Sequence, residues 1–248
     1  KPDDWLSEWS DTQQNVVWAL EKLAVWNETF SRTFRVLVRL ATTTTAKNSN
    51  NARGVVKDLF LLGEGWAPTQ VSAQERVPFI SELLASSNPK EWELGLELGI
   101  NWLRLHGGMR IVGAEHQGAR PDIRFWRPKT YGEIFSLMTD VWRILIASFN
   151  DSARNEKGLI LEKLMEVAPS ILQIPSMSSE IMDGITMMCS DRLVDREKAV
   201  RATIGLMRHP SEKKSTSIKR VISNLDKIVT GTTWQSRYER WCSYSSWD

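Results

Sequence analysis

The segment Thr130–Phe149, TYGEIFSLMTDVWRILIASF, gives the clearest indication of the fold. Its large apolar side chains recur at intervals of three and four residues, at Ile134, Met138, Val141, Trp142, Leu145 and Phe149. This spacing places them along one side of an α-helix. Thr130 and Glu133 have the spacing of a reciprocal capping box at the start of that helix. The segment therefore predicts a long helix with one buried face.

Similar apolar patterns continue on both sides of this segment. Towards the N-terminus, two stripes follow each other, the first of Val16, Leu20, Leu23 and Ala24 and the second of Phe30, Phe34, Leu37, Val38 and Ala41. The short stretch Trp26–Glu28 between them predicts a tight turn and therefore two antiparallel helices. Towards the C-terminus, shorter helices are predicted over Leu161–Met165, Ile181–Met188, Val200–Met207, Ile218–Val229 and Trp234–Trp241.

Two capping motifs precede further helices. Ser72 and Glu75 have the spacing of a reciprocal capping box, although Pro78 should kink that helix or shift its start. Asn88 and Glu91 are the N-cap and capping partner expected for another helix, with a proline at its first position. Both motifs predict a well-defined helix start.

The segment Trp92–Trp102 carries two conflicting signals. Every second residue is large and apolar, which is typical of a strand. The whole run after Asn88, about fifteen residues long, and the strong cap before it favour a helix. We interpret the segment as a helix that is buried on more than one side.

The patterns together predict an all-α fold of about ten helices without a strand. Helix pairs recur roughly every 35–45 residues, as in HEAT or armadillo arrays. We therefore expect antiparallel helix pairs stacked as an irregular HEAT- or armadillo-like solenoid, with a compact irregular bundle as the alternative. The expected organisation is an N-terminal helical half over 1–105, a connecting loop rich in glycine and arginine over 106–130, and a C-terminal helical half over 131–248.

The composition excludes several classes of protein. The 248 residues carry 32 basic and 30 acidic side chains, a net charge of +2, so the chain is neither globally polybasic nor polyacidic. Cys189 and Cys242 lie far apart in apolar helical patterns, which predicts no disulfide framework and a reducing, cytoplasmic location. No apolar run reaches the roughly 18–20 residues that span a bilayer. The chain starts without methionine, and we expect it to be a fragment of a longer protein.

Motifs of common enzymes are absent from the sequence. It contains no phosphate-binding loop, zinc-protease motif, Cys-x-x-Cys pair or nucleophile elbow. His106, His116 and His209 are too scattered to predict a metal site. Glu93 and Glu97, one helical turn apart, are more typical of a solvated helix edge than of paired catalytic carboxylates. The sequence therefore predicts no catalytic residue, cofactor or metal.

The candidate ligand-binding segment is the loop Arg120–Lys129. Its four cations are interleaved with Phe125 and Trp126 and could hold a phosphate or stack on a base or a peptide aromatic. The candidate ligand-binding residues are Arg120, Arg124, Trp126, Arg127 and Lys129. The alternative is structural: the aromatics pin the loop to the helices while the arginines cap helix C-termini. We favour the structural interpretation, because Pro121 and Pro128 indicate a rigid strap.

Four parts of the chain resemble the helical-repeat regions of large bacterial multidomain proteins. They are VWALEKLA (17–24) with RVLVRLA (35–41), NAR (51–53) with LFL (59–61), RPDIRFW (120–126), and WQSRYERW (234–241). The chain departs from the family pattern at Ile123, where those regions tend to have tryptophan, and at Cys242, where they have leucine. These are packing motifs and not catalytic ones.

The resemblance implies a position within a larger protein. Such proteins carry a STAND-type P-loop NTPase or a sirtuin-like effector domain before a long helical-repeat region, and several act in antiphage defence. The chain would then be similar to the C-terminal sensor or scaffold region. In STAND proteins that region binds the trigger and releases the NTPase to oligomerise, which implies a receptor role.

The predicted function is a non-catalytic helical-repeat recognition or scaffold module of a bacterial defence or signalling protein. The expected partner is a protein trigger or a neighbouring domain of the parent chain, because solenoids present long binding surfaces. A nucleic-acid-binding module that uses the Arg120–Lys129 loop is the alternative, and an enzyme with a different fold is the third hypothesis. No membrane partner is expected.

Overall fold

A computed structural model describes residues 11–43, 51–62, 67–104, 118 and 120–194, together with positions 199, 219 and 223. These residues contain no strand and include eight helices: α1 (Asp11–Leu23), α2 (Asn27–Thr43), α3 (Ala52–Asp58), α4 (Ala73–Leu84), α5 (Pro89–Trp102), α6 (Tyr131–Asp151), α7 (Arg154–Ile171) and α8 (Ser178–Ser190). The all-α prediction is confirmed for this part of the chain. The chain divides into two compact units, Lys1–Val141 (unit 1) and Trp142–Asp248 (unit 2).

The first helices of unit 1 pack in chain order. α1 contacts α2 and α3, and α2 packs against α3. The predicted apolar stripe of α2 is buried throughout. In the predicted stripe of α1, Ala24 is buried, but the prediction is wrong for Leu23, which is 40% exposed. Val17 and Glu21, which were not predicted, are buried. Leu23 is the last helical residue and lies beside the packed face, which accommodates the polar Glu21 instead.

The two capping predictions have different outcomes. Ser72 and Glu75 form the full reciprocal box, and α4 begins directly after Ser72 although Pro78 lies inside the helix. Asn88 caps α5 through its side chain, which accepts a hydrogen bond from the Lys90 amide at 3.1 Å. The predicted capping partner is wrong, because the Glu91 carboxylate accepts instead from the Ser86 hydroxyl at 2.6 Å.

The segment Trp92–Trp102 is a helix, as predicted. It forms most of α5, and its large apolar residues from Leu94 onward are buried. α5 packs against α4 and also contacts α2 and α3, so apolar residues on several sides find partners. A Cβ atom added to Gly95 would lie only 2.8 Å from Cβ of Leu83, because α4 and α5 approach closely there.

The capping box predicted at the start of α6 forms only in part. The Glu133 amide donates to the Thr130 hydroxyl at 3.2 Å, but the Glu133 carboxylate accepts from the Lys129 amide at 2.8 Å. The predicted core stripe is buried in five of its six residues, Ile134 being partly exposed. The long helix and its buried face are therefore confirmed.

Unit 2 contains the end of α6, α7 and α8. α7 packs against α8, and a Cβ atom added to Gly184 of α8 would lie 2.8 Å from the buried Trp142 ring. The exposed Arg143 side chain donates two hydrogen bonds to Glu180, at 2.6 and 2.9 Å. Cys189 is buried and not in a disulfide.

Several sequence-based predictions concern residues that the structure does not describe, or describes only in part. The helices predicted over 200–207 and 234–241, the three histidines and Cys242 lie outside the described residues. Of the helix predicted over 218–229, the described positions 219 and 223 are helical. No described helix is long and apolar enough to cross a membrane.

Candidate functional site

The predicted loop crosses unit 1 as an irregular segment. Residues 120–129 are neither helix nor strand, and we call them the strap. At its start, Arg120 donates a hydrogen bond to the Glu28 carboxylate at 2.9 Å, and its guanidinium carbon lies 4.7 Å from the ring centroid of Trp26. Further along, the Trp126 amide donates to the Thr69 carbonyl at 2.8 Å. The strap is therefore attached to the helical body at two points.

The second attachment point is itself well fixed. Thr69 is fully buried, and its hydroxyl donates to the Ala24 carbonyl at 2.9 Å and accepts from the Val71 amide at 3.2 Å. The neighbouring Gln70 amide donates to the Val25 carbonyl at 2.8 Å. These bonds join the turn after α1 to the segment before α4, so Trp126 attaches to a rigid part of unit 1.

The inner side of the strap covers a buried arginine, Arg76 of α4. Its guanidinium carbon lies 5.5 Å from the ring centroid of Trp126 and 5.2 Å from that of Trp102. Nη1 donates to the Leu59 carbonyl at 2.5 Å and lies 3.5 Å from the Leu61 carbonyl. The guanidinium thus lies close to two indole rings and satisfies carbonyl groups just beyond the end of α3.

Arg76 is charged and fully buried. Burial lowers its pKa to about 9, so the guanidinium remains protonated at neutral pH. Among the described residues no carboxylate forms an ion pair with it, and neither its Nη2 nor the buried Nε1 of Trp102 has a hydrogen-bond acceptor. Sequence analysis did not single out Arg76. The available signal was its position, because Arg76 shares the buried side of α4 with Ile80 and Leu83.

The exposed side chains of the strap are mainly cationic, with Asp122 as the one exposed acidic residue among positions 120–129. Arg124, Arg127 and Lys129 are exposed, and the adjoining Tyr131 of α6 is 69% exposed. The Arg124 and Lys129 side chains form no ion pair with any residue that the structure describes. Of the five candidate residues, Arg120 and Trp126 therefore attach the strap to the helical body, and Arg124, Arg127 and Lys129 are exposed on the same segment.

The paired carboxylates of α5 are bound to an arginine. Arg53 of α3 donates to Glu97 through Nε at 3.0 Å and through Nη2 at 2.9 Å, and Glu93 lies 3.8 Å from Nη2. The hydrogen bond to Glu97 raises the pKa of Arg53, as do the charges of both glutamates. This arrangement is a helix-to-helix ion pair and not a pair of carboxylates positioned around a substrate.

A shallow groove lies elsewhere on unit 1. It has a volume of about 400 Å³, an apolar floor that includes Phe34, Val38 and Leu83, and walls from α2, α4 and α5. Its rim carries both signs of charge, with Arg35 and Glu82 3.7 Å apart. The groove lacks the excess of cations found on the strap, where Asp122 is the one acidic residue.

The chain matches no protein-family model, no curated protein and no solved structure. In the part of the chain that the structure describes, no three histidine, cysteine or acidic side chains are grouped so that they could hold a metal ion. The candidate site is therefore defined by the geometry of the strap alone.

Proposed function

We propose that this chain is a non-catalytic recognition module that binds an acidic protein surface through the outer side of the strap. One observation carries the proposal: the strap is fixed by Arg120 and Trp126, while Arg124, Arg127 and Lys129 are exposed. We call these three residues the outward cations. Within the strap these three cations outnumber a single exposed acidic residue, Asp122.

Anchoring makes these cations better suited to recognition. Binding costs free energy when mobile groups become ordered, and a segment already held in place avoids part of that cost. Exposed cations then attract an acidic partner and set its orientation. Tyr131 adds a large exposed aromatic beside them, of the kind that often contributes strongly at protein interfaces.

The larger context is also a proposal. Because parts of the chain resemble helical-repeat regions of bacterial STAND-type and sirtuin-like defence proteins, we propose that the module senses a trigger in such a protein. We further propose a HEAT-like array. Successive helices pair in both units, α1 with α2, α4 with α5 and α7 with α8, which supports this arrangement. Small-angle scattering tests it, since a compact chain of this length has a radius of gyration of about 18 Å and an array exceeds that value.

Charge reversal on the strap tests the binding surface. The variant combines Arg124→Glu with Lys129→Glu, and the control combines Arg35→Glu with Lys90→Glu, two exposed cations of unit 1 outside the strap. Each protein is immobilised, and bound cellular or phage proteins are quantified by mass spectrometry. We expect the amount of a specific bound partner to fall about tenfold or more in the strap variant and to stay unchanged in the control, while both variants keep the helicity of the wild type. Equal binding by both variants would contradict the proposal.

Nucleic acid is the second candidate ligand, because cations and aromatics alternate along the strap. Fluorescence anisotropy with a labelled single-stranded oligonucleotide separates the two proposals. Contacts to phosphates weaken steeply between about 50 and 200 mM salt because counterions are released. Saturable binding with that dependence, lost in the strap variant, would replace the protein-binding proposal; we expect no saturable binding.

A further inference from the structure

Two buried N–H groups beneath the strap have no acceptor. Nη2 of Arg76 and Nε1 of Trp102 belong to side chains with no exposed surface, and neither has a hydrogen-bond partner. The guanidinium carbon of Arg76 lies only 5.2 Å from the centroid of the Trp102 ring. Buried donors in folded proteins are almost always paired, so two unpaired donors on adjoining groups indicate a ligand that accepts from both.

The same place has an unbalanced charge. The guanidinium contacts carbonyl oxygens, which are dipoles and not full charges, and two indole rings. Among the described residues no acidic side chain forms an ion pair with Arg76. A buried charge without a counter-charge is strongly unfavourable. A water molecule would accept from both donors but would not neutralise the charge of Arg76. An anion would supply both the missing hydrogen-bond acceptor and the missing counter-charge.

We propose that Arg76 Nη2 and Trp102 Nε1 form a binding site for a small monatomic anion of the chloride class. The enclosure of both side chains favours an ion that is compact and gives up its hydration shell readily. Trp126 of the strap also lies close to the guanidinium, with its ring centroid 5.5 Å from the guanidinium carbon. The anion therefore lies in the interior of unit 1 and binds independently of any partner on the outer side of the strap.

Thermal unfolding of the whole chain gives the first test. Sodium chloride replaces sodium gluconate at constant ionic strength, because gluconate is too large for the site and screening stays the same. Ligand binding to the folded state raises the melting temperature, by roughly 3–6 °C at chloride ten times its dissociation constant for a protein of this size. Above the dissociation constant the rise should follow the logarithm of the chloride concentration, whereas a general salt effect grows in proportion to that concentration.

Matched tryptophan variants locate the effect. Trp102→Phe removes the Nε1 donor but keeps an aromatic ring, and Trp142→Phe makes the same change at a buried tryptophan of unit 2. We expect the apparent chloride affinity to fall at least about tenfold in Trp102→Phe, the loss of one charge-assisted hydrogen bond, and to be unchanged in Trp142→Phe. Arg76→Met, if it folds, should show no chloride response. A wild-type response retained in Trp102→Phe would place the anion elsewhere and overturn the proposal.

Bromide gives the position directly. Crystals of the chain soaked in sodium bromide should show an anomalous peak between Nη2 of Arg76 and Nε1 of Trp102. A melting temperature that is identical in gluconate and chloride, with no bromide peak at these atoms, would overturn the proposal and leave water as the acceptor.

Discussion

Arg76 in unit 1 and Lys157 in unit 2 are both buried cations, but their surroundings differ. Lys157 is 5% exposed; its ammonium lies 2.8 Å from the Asp191 carboxylate and 4.6 Å from the ring centroid of Phe149. Arg76 has aromatic rings on two sides and carbonyl groups as acceptors, without an acidic partner among the described residues. Lys157 is therefore neutralised by a neighbouring carboxylate, whereas Arg76 is stabilised only by the dipoles of carbonyl groups and by aromatic rings.

The difference follows from where each residue lies along the helices. Lys157 is in the first turn of α7, and Asp191 directly follows the last residue of α8, so the packing of these helices brings the pair together. Arg76 instead meets the carbonyl groups that follow α3, where the partial negative charge of a helix end attracts a cation. The first arrangement is complete within the chain, whereas the second is completed by an anion in our proposal.

The largest effect is expected for Arg76→Ala. The substitution leaves a cavity between two indoles and removes the donor to the Leu59 carbonyl, which together cost about 3–5 kcal/mol. Urea unfolding followed by circular dichroism measures this loss. Arg35→Ala is the control, since that side chain is 66% exposed and should cost less than about 1 kcal/mol. Equal losses in the two variants would contradict the buried position of Arg76.

The two partners of the unit 2 pair should respond unequally. Asp191→Asn leaves the ammonium of Lys157 buried without a counter-charge and should cost about 2–3 kcal/mol, since removing one member of a buried pair is strongly destabilising. Lys157→Met leaves a carboxylate that is 21% exposed, so the loss should be about 1 kcal/mol. Both values come from urea unfolding. A larger loss in Lys157→Met would mean that the carboxylate, and not the ammonium, is the poorly solvated member.

The strap residues should have smaller effects. Trp126→Ala uncovers one face of Arg76 and removes a half-buried indole, and we expect a loss of about 1–2 kcal/mol in the same unfolding assay. Arg120→Ala and Arg127→Ala are on the surface and should each cost less than about 1 kcal/mol. A Trp126→Ala variant as stable as the wild type would indicate an exposed stacking platform instead of an anchor.

The smallest effect is a pH dependence specific to unit 2. The hydrogen bond from Lys157 lowers the pKa of Asp191 below its usual value of 3.8. A lowered carboxyl pKa contributes stability above the unfolded-state pKa, and this contribution is lost as the pH falls through the folded-state value. The difference in unfolding free energy between wild type and Asp191→Asn should therefore shrink below pH 3.8. A constant difference down to about pH 2 would contradict the ion pair.

Much of the fold could be predicted because apolar periodicity depends on local sequence. α2 and α6 have stripes so strong that the buried face is evident, whereas α5 was predicted as a helix from its length and its N-cap. α1 was harder, since its buried side includes the polar Gln13 and Glu21. The cap of α5 was predicted only in part, because the Ser86 hydroxyl competes for Glu91 and no spacing rule anticipates that contact.

The candidate site was predictable only in its composition. The mixture of cations, aromatics and prolines identified the strap from sequence. The division of its residues into anchors and outward cations required coordinates. Arg76 was missed because its partners Leu59, Trp102 and Trp126 come from three distant parts of the chain, and no local pattern brings them together.

The attachment of the strap has a consequence for the order of folding. The α4–α5 hairpin closes over a four-residue link, Ala85–Asn88, and forms from contacts close together in sequence. The bond between Arg120 and Glu28 spans 92 residues, so the chain entropy lost in closing that loop is far larger. Contacts of short range form first and those of long range follow. The strap is therefore expected to attach last, to a helical body that has already formed. It is also expected to be the first part of unit 1 to detach during partial unfolding.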